Sequence, residues 1–206
     1  MKILRLYTRL PPLPGGMEEH IAQLTREQSS LGHDVTIYFN KGDRVSSSDV
    51  QISRLPLYKL KPQFIGILFF YFLIYFKLTT KQQKFDLIHI HGDWSSLIFA
   101  SLIKKTVHAE KIIMSIHDEL SNNFFSQKAL SLLLRNVDLI FASGYDLASQ
   151  LNKITSKNVI IQPSGIKNIF LKGVKRTFNN SPFQVIVASS LVKKKNLDLV
   201  LDIAEA

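Results

Sequence analysis

The sequence contains no cysteine, which excludes a disulfide framework, a thiolate zinc site and a cysteine nucleophile, and which suits a cytoplasmic protein. Acidic side chains are scarce, with 16 Asp and Glu against 26 Lys and Arg and a net charge of +10. Such an excess calls for an anionic partner: nucleic acid, anionic lipid or a phosphorylated substrate. Zinc-finger spacing, an RRM-like signature and a basic helix with heptads are all missing, so no nucleic-acid partner is expected. The longest apolar run, Phe64 to Phe76, falls short of the ~20 residues that span a bilayer. The opening M-K-I-L-R-L-Y-T-R is too short an apolar run for a signal peptide and reads as a strand. There is no G-x-S-x-G elbow, and Ser164-Gly165 lacks the strand-to-helix context of one. No repeat of fixed period occurs.

What remains is a globular composition, 46% hydrophobic and 20% charged over 206 residues. That is enough for one well-buried domain, with a remainder too short for a second. The chain is organised around L-P-G-G-M-E-E-H-I-A-Q-L-T-R-E-Q-S-S-L-G-H-D-V-T-I-Y, residues 13–38. It predicts a strand at Ile3–Tyr7, a glycine turn at Gly15-Gly16, and a helix whose apolar face carries Met17, Ile21, Leu24 and Leu31. A second strand follows over Asp34–Phe39. The free first-turn N–H groups at Gly16 and Met17 offer donors to an anion, although Glu18 and Glu19 would repel a phosphate beside them. A sharp turn with no ligand fits this stretch equally well.

Further along, Val50–Leu55 reads as a short strand, and Pro56 and Pro62 bracket a basic connection with Lys59 and Lys61. Phe64–Phe76, flanked by lysines, reads as a helix that either covers a sheet or makes an interfacial membrane contact. The rhythm then becomes regular. Strands are predicted at Asp86–His91, Lys111–Ile116, Val137–Ser143 and Asn158–Gln162. Helices alternate with them at Trp94–Val107, Phe124–Arg135 and Asp146–Asn152. This is the pattern of βαβ units, an α/β, doubly wound, mostly parallel Rossmann-like sheet. Ligands bind beyond the carboxyl ends of such strands, which points to Tyr7–Gly16, His91–Asp93, His117–Glu119, Ser143–Tyr145 and Pro163–Ile166. Domain boundaries are expected at 1–171, a linker at 172–182 and the start of a second domain at 183–206.

His89 and His91 share one face of a strand. With Asp93, His117, Asp118 and Glu119 nearby, a metal hydrolase is one reading. A satisfied core histidine is the simpler reading for His89, while His91 and His117, last on their strands, are cleft candidates. His20, His33 and His108 read as structural. Lys193-Lys194-Lys195 stands at the start of the last helix, placed to meet a phosphate or to form a solvated turn.

Taken in order, these segments resemble the amino-terminal half of a family 4 (GT-B) glycosyltransferase of the glycosyltransferase group 1 kind. The matching pieces are P-G-G-M-E-E-H-I-A-Q-L with L-G-H-D-V, D-L-I-H-I-H-G-D-W, S-I-H-D-E, V-D-L-I-F-A-S, P-S-G-I-K-N-I-F and S-S-L-V-K-K-K-N-L-D-L-V-L. The resemblance implies a two-Rossmann enzyme for retaining hexosyl transfer, with the acceptor on the amino-terminal half and a nucleotide-sugar donor held mostly by the other. It implies that Gly15, Gly16 and Ser190 approach the donor diphosphate and sugar. His117 would contact the transferred sugar, Lys195 would neutralise the leaving diphosphate, and His91, Asp93, Trp94 and Glu119 would line the acceptor side. The donor is a substrate; no cofactor and no metal are expected. A glycan or lipid-linked acceptor, peripheral contact of 64–76 with the inner face of the cell membrane, and a carboxy-terminal partner chain complete the expectation.

Three departures stand out: Ser189-Ser190 in place of Gly-Arg, Ser164-Gly165-Ile166-Lys167 in place of Asn-Gly-Val-Asp, and no E-x7-E-type motif. They lead us to expect a truncated second domain and little transfer by this polypeptide alone. A non-catalytic sugar- or phosphate-binding module, or one component of a split transferase, is the alternative.

Overall fold

A computed structural model describes residues 1–121, 123–163 and 196–205. The chain divides into two units, Met1–Gly165 and Ile166–Ala206. In the first, strands β1 (Lys2–Leu6), β2 (Asp34–Phe39), β3 (Val50–Gln51), β4 (Leu87–His91), β5 (Lys111–Ile116), β6 (Leu139–Ala142) and β7 (Val159–Ile161) form one sheet. Its order is β3-β2-β1-β4-β5-β6-β7, and every pairing is parallel. The chain thus winds outward from β1 in one direction and then restarts at β4 on its other side. The reversal leaves a crevice beyond the carboxyl ends of β1 and β4, where open α/β sheets take ligands.

Helices cover both faces, as a doubly wound sheet requires. On one face, α1 (Gly16–Ser30) packs Ile21 against Ile37 and Phe39. On the other, α2 (Gln63–Lys81), α3 (Ala100–Val107), α4 (Phe124–Leu134) and α5 (Tyr145–Ile154) share a core with Leu4, Leu6, Ile88, Ile90, Met114 and Ile140. The alternation along β1 is clear. Leu4 and Leu6 enter this larger core, while Ile3 joins Val35 and Leu87 on the α1 side. In the second unit, the described residues form α6 (Leu197–Glu205). The predicted linker at 172–182 and residues 183–195 of the expected second domain lie outside the described residues.

Two helices differ from their sequence readings in a way that matters for the site. The segment predicted as one helix over Trp94–Val107 is a 3-10 turn at Trp94–Leu97 followed by α3. Asp93 accepts from the Ser95 N–H at 2.9 Å and caps that turn, so the chain bends there and holds Trp94 near the end of β4. The predicted face of α1 is also rotated. Its buried residues are Glu18, Ile21, Ala22 and Thr25, and Leu31 is 75% exposed. The cause lies in the sheet, because Arg5 of β1 is fully buried and its guanidinium donates to Thr25 Oγ1 and Gln28 Oε1. A buried cation needs partners more than a leucine needs cover.

The apolar stretch forms α2, longer than its apolar run. By length and composition it could cross a membrane, yet one side is committed to the fold. Phe70, Tyr71, Ile74 and Leu78 are buried. Gly66 lets the helix approach the 3-10 turn at Leu57–Lys59, since a Cβ there would collide with the Leu57 carbonyl oxygen. The opposite side leaves Phe64, Ile65, Phe69, Phe72 and Phe76 between 39% and 54% exposed. One side of the helix thus covers the sheet, and the other presents aromatic side chains at the surface.

Candidate functional site

A cavity of about 740 Å³ opens where the chain reverses, within the size range of small-molecule sites. Its floor is the carboxyl ends of β1, β4 and β5, with Tyr7 to Arg9, His91 to Trp94, and Ile116 to Glu119. One side wall comes from Met17 of α1 and another from Tyr58 to Lys61 and α2. The predicted cleft residues His91, Asp93, Trp94, His117 and Glu119 are all brought together in it.

Three histidines form the core of the floor. The rings of His91 and His117 stack at 5.6 Å with an interplanar angle of 14°, and His91 Nδ1 lies 3.4 Å from His117 Nε2. Below them His89, 4.1 Å from His91 by ring centroid, shares a hydrogen bond of 2.8 Å between its Nε2 and Ser115 Oγ. His89 is thus the satisfied core histidine that its position implied. Burial first, and then nearby Arg5 or fellow histidines, hold His89 and His91 well below the ordinary histidine pKa. Burial and the neighbouring His20 bring His117 down to about 4, although Asp118 pulls the other way. At neutral pH these rings are uncharged hydrogen-bonding groups. His91 Nε2 and His117 Nδ1 are buried and have no protein partner. Both residues line the cavity, and a buried polar nitrogen left unpaired is costly.

His20, read from sequence as structural, belongs to this cluster, its ring 5.6 Å from that of His117. No motif marks it; only the turn of α1 brings it there. Among the described residues no group of three or more His, Asp or Glu side chains could hold a metal ion. The histidines instead pair with one another and with Ser115, a geometry that does not favour the hydrolase reading.

The glycine turn sits beside the cavity rather than in its lining. Gly15 and Gly16 are exposed at the start of α1, and Met17 is the first residue of that turn to reach the cavity. A side chain at Gly15 would collide with Glu18 Oε2, so the loop rests directly on a carboxylate. Glu18 is 1% exposed and pairs with Arg9 at 2.5 Å, while the Tyr7 hydroxyl donates to it at 3.4 Å. Burial and the Glu18 charge push the Tyr7 phenol up to about 12. The carboxylate expected to repel a phosphate therefore has its charge offset by Arg9. The sequence reading covered Tyr7 and Arg9 within the strand-end stretch Tyr7–Gly16 without singling them out, and it missed Tyr58 and the cavity side of Lys59 and Lys61. Their only sequence signal is position, after the first strand and inside a Pro-bracketed connection. Ser190 and Lys195 lie outside the described residues.

Comparison with known proteins agrees with the fold. The family model described as Glycosyltransferase Family 4 matches residues 14–167. Among curated proteins, the gpi3 subunit of phosphatidylinositol N-acetylglucosaminyltransferase from Schizosaccharomyces pombe is 21% identical over 92% of this chain and 44% of its own length. From Homo sapiens, a phosphatidylinositol N-acetylglucosaminyltransferase subunit is 25% identical over 92% of this chain and 41% of its own. The chain thus spans less than half the length of these relatives. Among solved structures, the catalytic domain of starch synthase IV from Arabidopsis thaliana, bound to ADP and acarbose, superposes with a TM-score of 0.59. At 15% identity over 80% of this chain and 52% of that one, it supports the fold alone. With a family model covering most of its length on a sheet of the matching architecture, the chain belongs to Glycosyltransferase Family 4.

Proposed function

We propose that this chain is the acceptor-side part of a glycosyltransferase, one that moves a sugar from a nucleotide-sugar donor to a lipid-linked or glycan acceptor. The observation that carries the reading is the cavity floor, where His91 and His117 each keep a buried ring nitrogen without a protein partner. Neutral imidazoles of this kind orient hydroxyl groups. In this role His117 contacts the transferred sugar, and His91, Asp93, Trp94 and Glu119 position the acceptor. Gly15 and Gly16 form the donor-side edge, with Ser190 and Lys195 assigned to the donor diphosphate. The chemical need is plain, since negative charge develops on the departing diphosphate and a lysine with backbone N–H groups stabilises it without a metal.

The names of the curated relatives favour a phosphoinositide lipid as acceptor and N-acetylglucosamine as the sugar. They also favour a partner chain, because both relatives are described as subunits. The exposed aromatic side of α2 supports peripheral contact with the inner face of a membrane. The chain spans less than half of those relatives, and in this reading a nucleotide-binding part completes the cleft. Purified chain, assayed for donor hydrolysis and transfer to phosphatidylinositol vesicles, is expected to show little or no turnover. Addition of a nucleotide-binding carboxy-terminal half is expected to produce it. Robust turnover by the chain alone would overturn the split-site reading.

A further inference from the structure

We propose that the acceptor is recognised through a phosphate group, clamped by Lys59 and Lys61 where the cavity meets α2; this rests on the acceptor-side reading above. The cavity lining carries both signs of charge, with Asp93, Asp118 and Glu119 set against Arg9, Lys59 and Lys61. Among these cations, Arg9 is already committed to Glu18 at 2.5 Å. Lys59 and Lys61 form no ion pair among the described residues, and the ammonium of Lys59 lies near the Tyr58 ring, 5.9 Å from its centroid. Two ammonium groups together with three carboxylates in one lining suit a ligand with two chemistries. Its hydroxyls would meet Asp118, Glu119 and the histidines, and its anionic group would meet the lysines.

The position of the lysines selects among anionic ligands. Lys61 stands two residues before Gln63, the first residue of α2. Phe64, one residue further, lies 5.9 Å from the Trp94 ring by centroid, and Trp94 lines the cavity. Phe64 in turn begins the exposed apolar side that continues through Ile65, Phe69, Phe72 and Phe76. A path therefore runs from polar cavity to cationic rim to apolar surface. That is the order of hydroxylated headgroup, phosphate and acyl chain in an anionic glycerolipid. The lysines would hold the phosphodiester while the chains remain against α2.

The test is calorimetric titration of the full chain with inositol 1-phosphate, inositol and inorganic phosphate, together with sedimentation on phosphatidylcholine vesicles with and without phosphatidylinositol. Inositol 1-phosphate is expected to bind on the order of tenfold more tightly than inositol, and K59Q/K61Q to remove most of that difference. Both lysines are exposed, so the double variant is expected to fold. It is also expected to lose its preference for phosphatidylinositol vesicles while keeping residual binding to neutral ones. Equal binding of inositol and its phosphate, or wild-type binding by K59Q/K61Q, would overturn the clamp. Inorganic phosphate binding as tightly as inositol 1-phosphate would overturn the headgroup source and indicate a free-anion site. None of these readouts needs sugar transfer, so failure of the clamp and failure of the transferase reading are separate results.

Discussion

Lowering the pH from 7.5 to 5 is expected to strip several kcal/mol from the folding stability of this chain, with the steepest loss below pH 6.5. His89 and His91 are buried and held well below their ordinary pKa, and His117 is brought down to about 4. In the unfolded chain these rings take up protons near pH 6.5. In the folded chain they do so only at lower pH. Between the two values the unfolded state binds more protons, so stability rises with pH and falls as the solution is acidified. Each ring contributes a slope of up to about 1.4 kcal/mol per pH unit within its window. The groups facing the cluster reinforce this, because Arg5 and His20 add positive charge and Asp118 opposes them at His117 alone. Asp49, raised by burial, works in the other direction as one carboxyl against three imidazoles. Urea melts at pH 7.5, 6 and 5 read the slope directly. The H89Q/H91Q variant, which has no proton to gain at either position, is expected to lower that slope by roughly half or more. A flat profile for the wild type would mean that the histidines are hydrated rather than buried.

The second large effect concerns catalysis. Once a nucleotide-binding half is supplied, His117→Ala is expected to lower kcat by about 10²-fold or more, the range seen when a preorganised hydrogen-bonding group is removed from a reacting centre. The KM for the acceptor should change far less, because the proposed contact is with the transferred sugar. A pKa of about 4 adds a second criterion. Transfer should show no acid limb near pH 6.5 attributable to this ring, since His117 acts as a neutral hydrogen-bonding group throughout the usual assay range. An intact rate in His117→Ala, or a rate that rises with protonation near pH 6.5, would remove His117 from the proposed mechanism.

The sheet was legible because its strands are short apolar runs separated by turn residues, and the cleft followed from where β4 and β5 end. His91, Asp93, His117 and Glu119 could be named because ligand sites in such sheets lie beyond strand ends, and Trp94 through the family resemblance. What escaped was whatever depends on pairing across long separations. Arg5 looks misplaced in K-I-L-R-L until Thr25 and Gln28 are seen to receive its guanidinium. That same contact rotates α1, and the rotation buries Glu18 and brings His20 to His117. A helical wheel ranks positions by apolarity and so selects Leu24 and Leu31 over Glu18 and Thr25. The cationic rim escaped for another reason, because Lys59 and Lys61 look like any solvated connection until Gly66 draws the 3-10 turn onto α2. The glycine turn was easier to read as a turn than as a site, and its exposed backbone keeps both meanings distinct.

The chain carries a single tryptophan, Trp94, and it lines the cavity. Its fluorescence therefore tests most directly whether this cavity is the acceptor side of a divided site. Titrating the full chain with phosphatidylinositol vesicles is expected to give a saturable change in Trp94 emission, while UDP-N-acetylglucosamine alone leaves the emission unchanged over the same concentrations. A saturable response to the nucleotide sugar, with none to the lipid, would contradict the account.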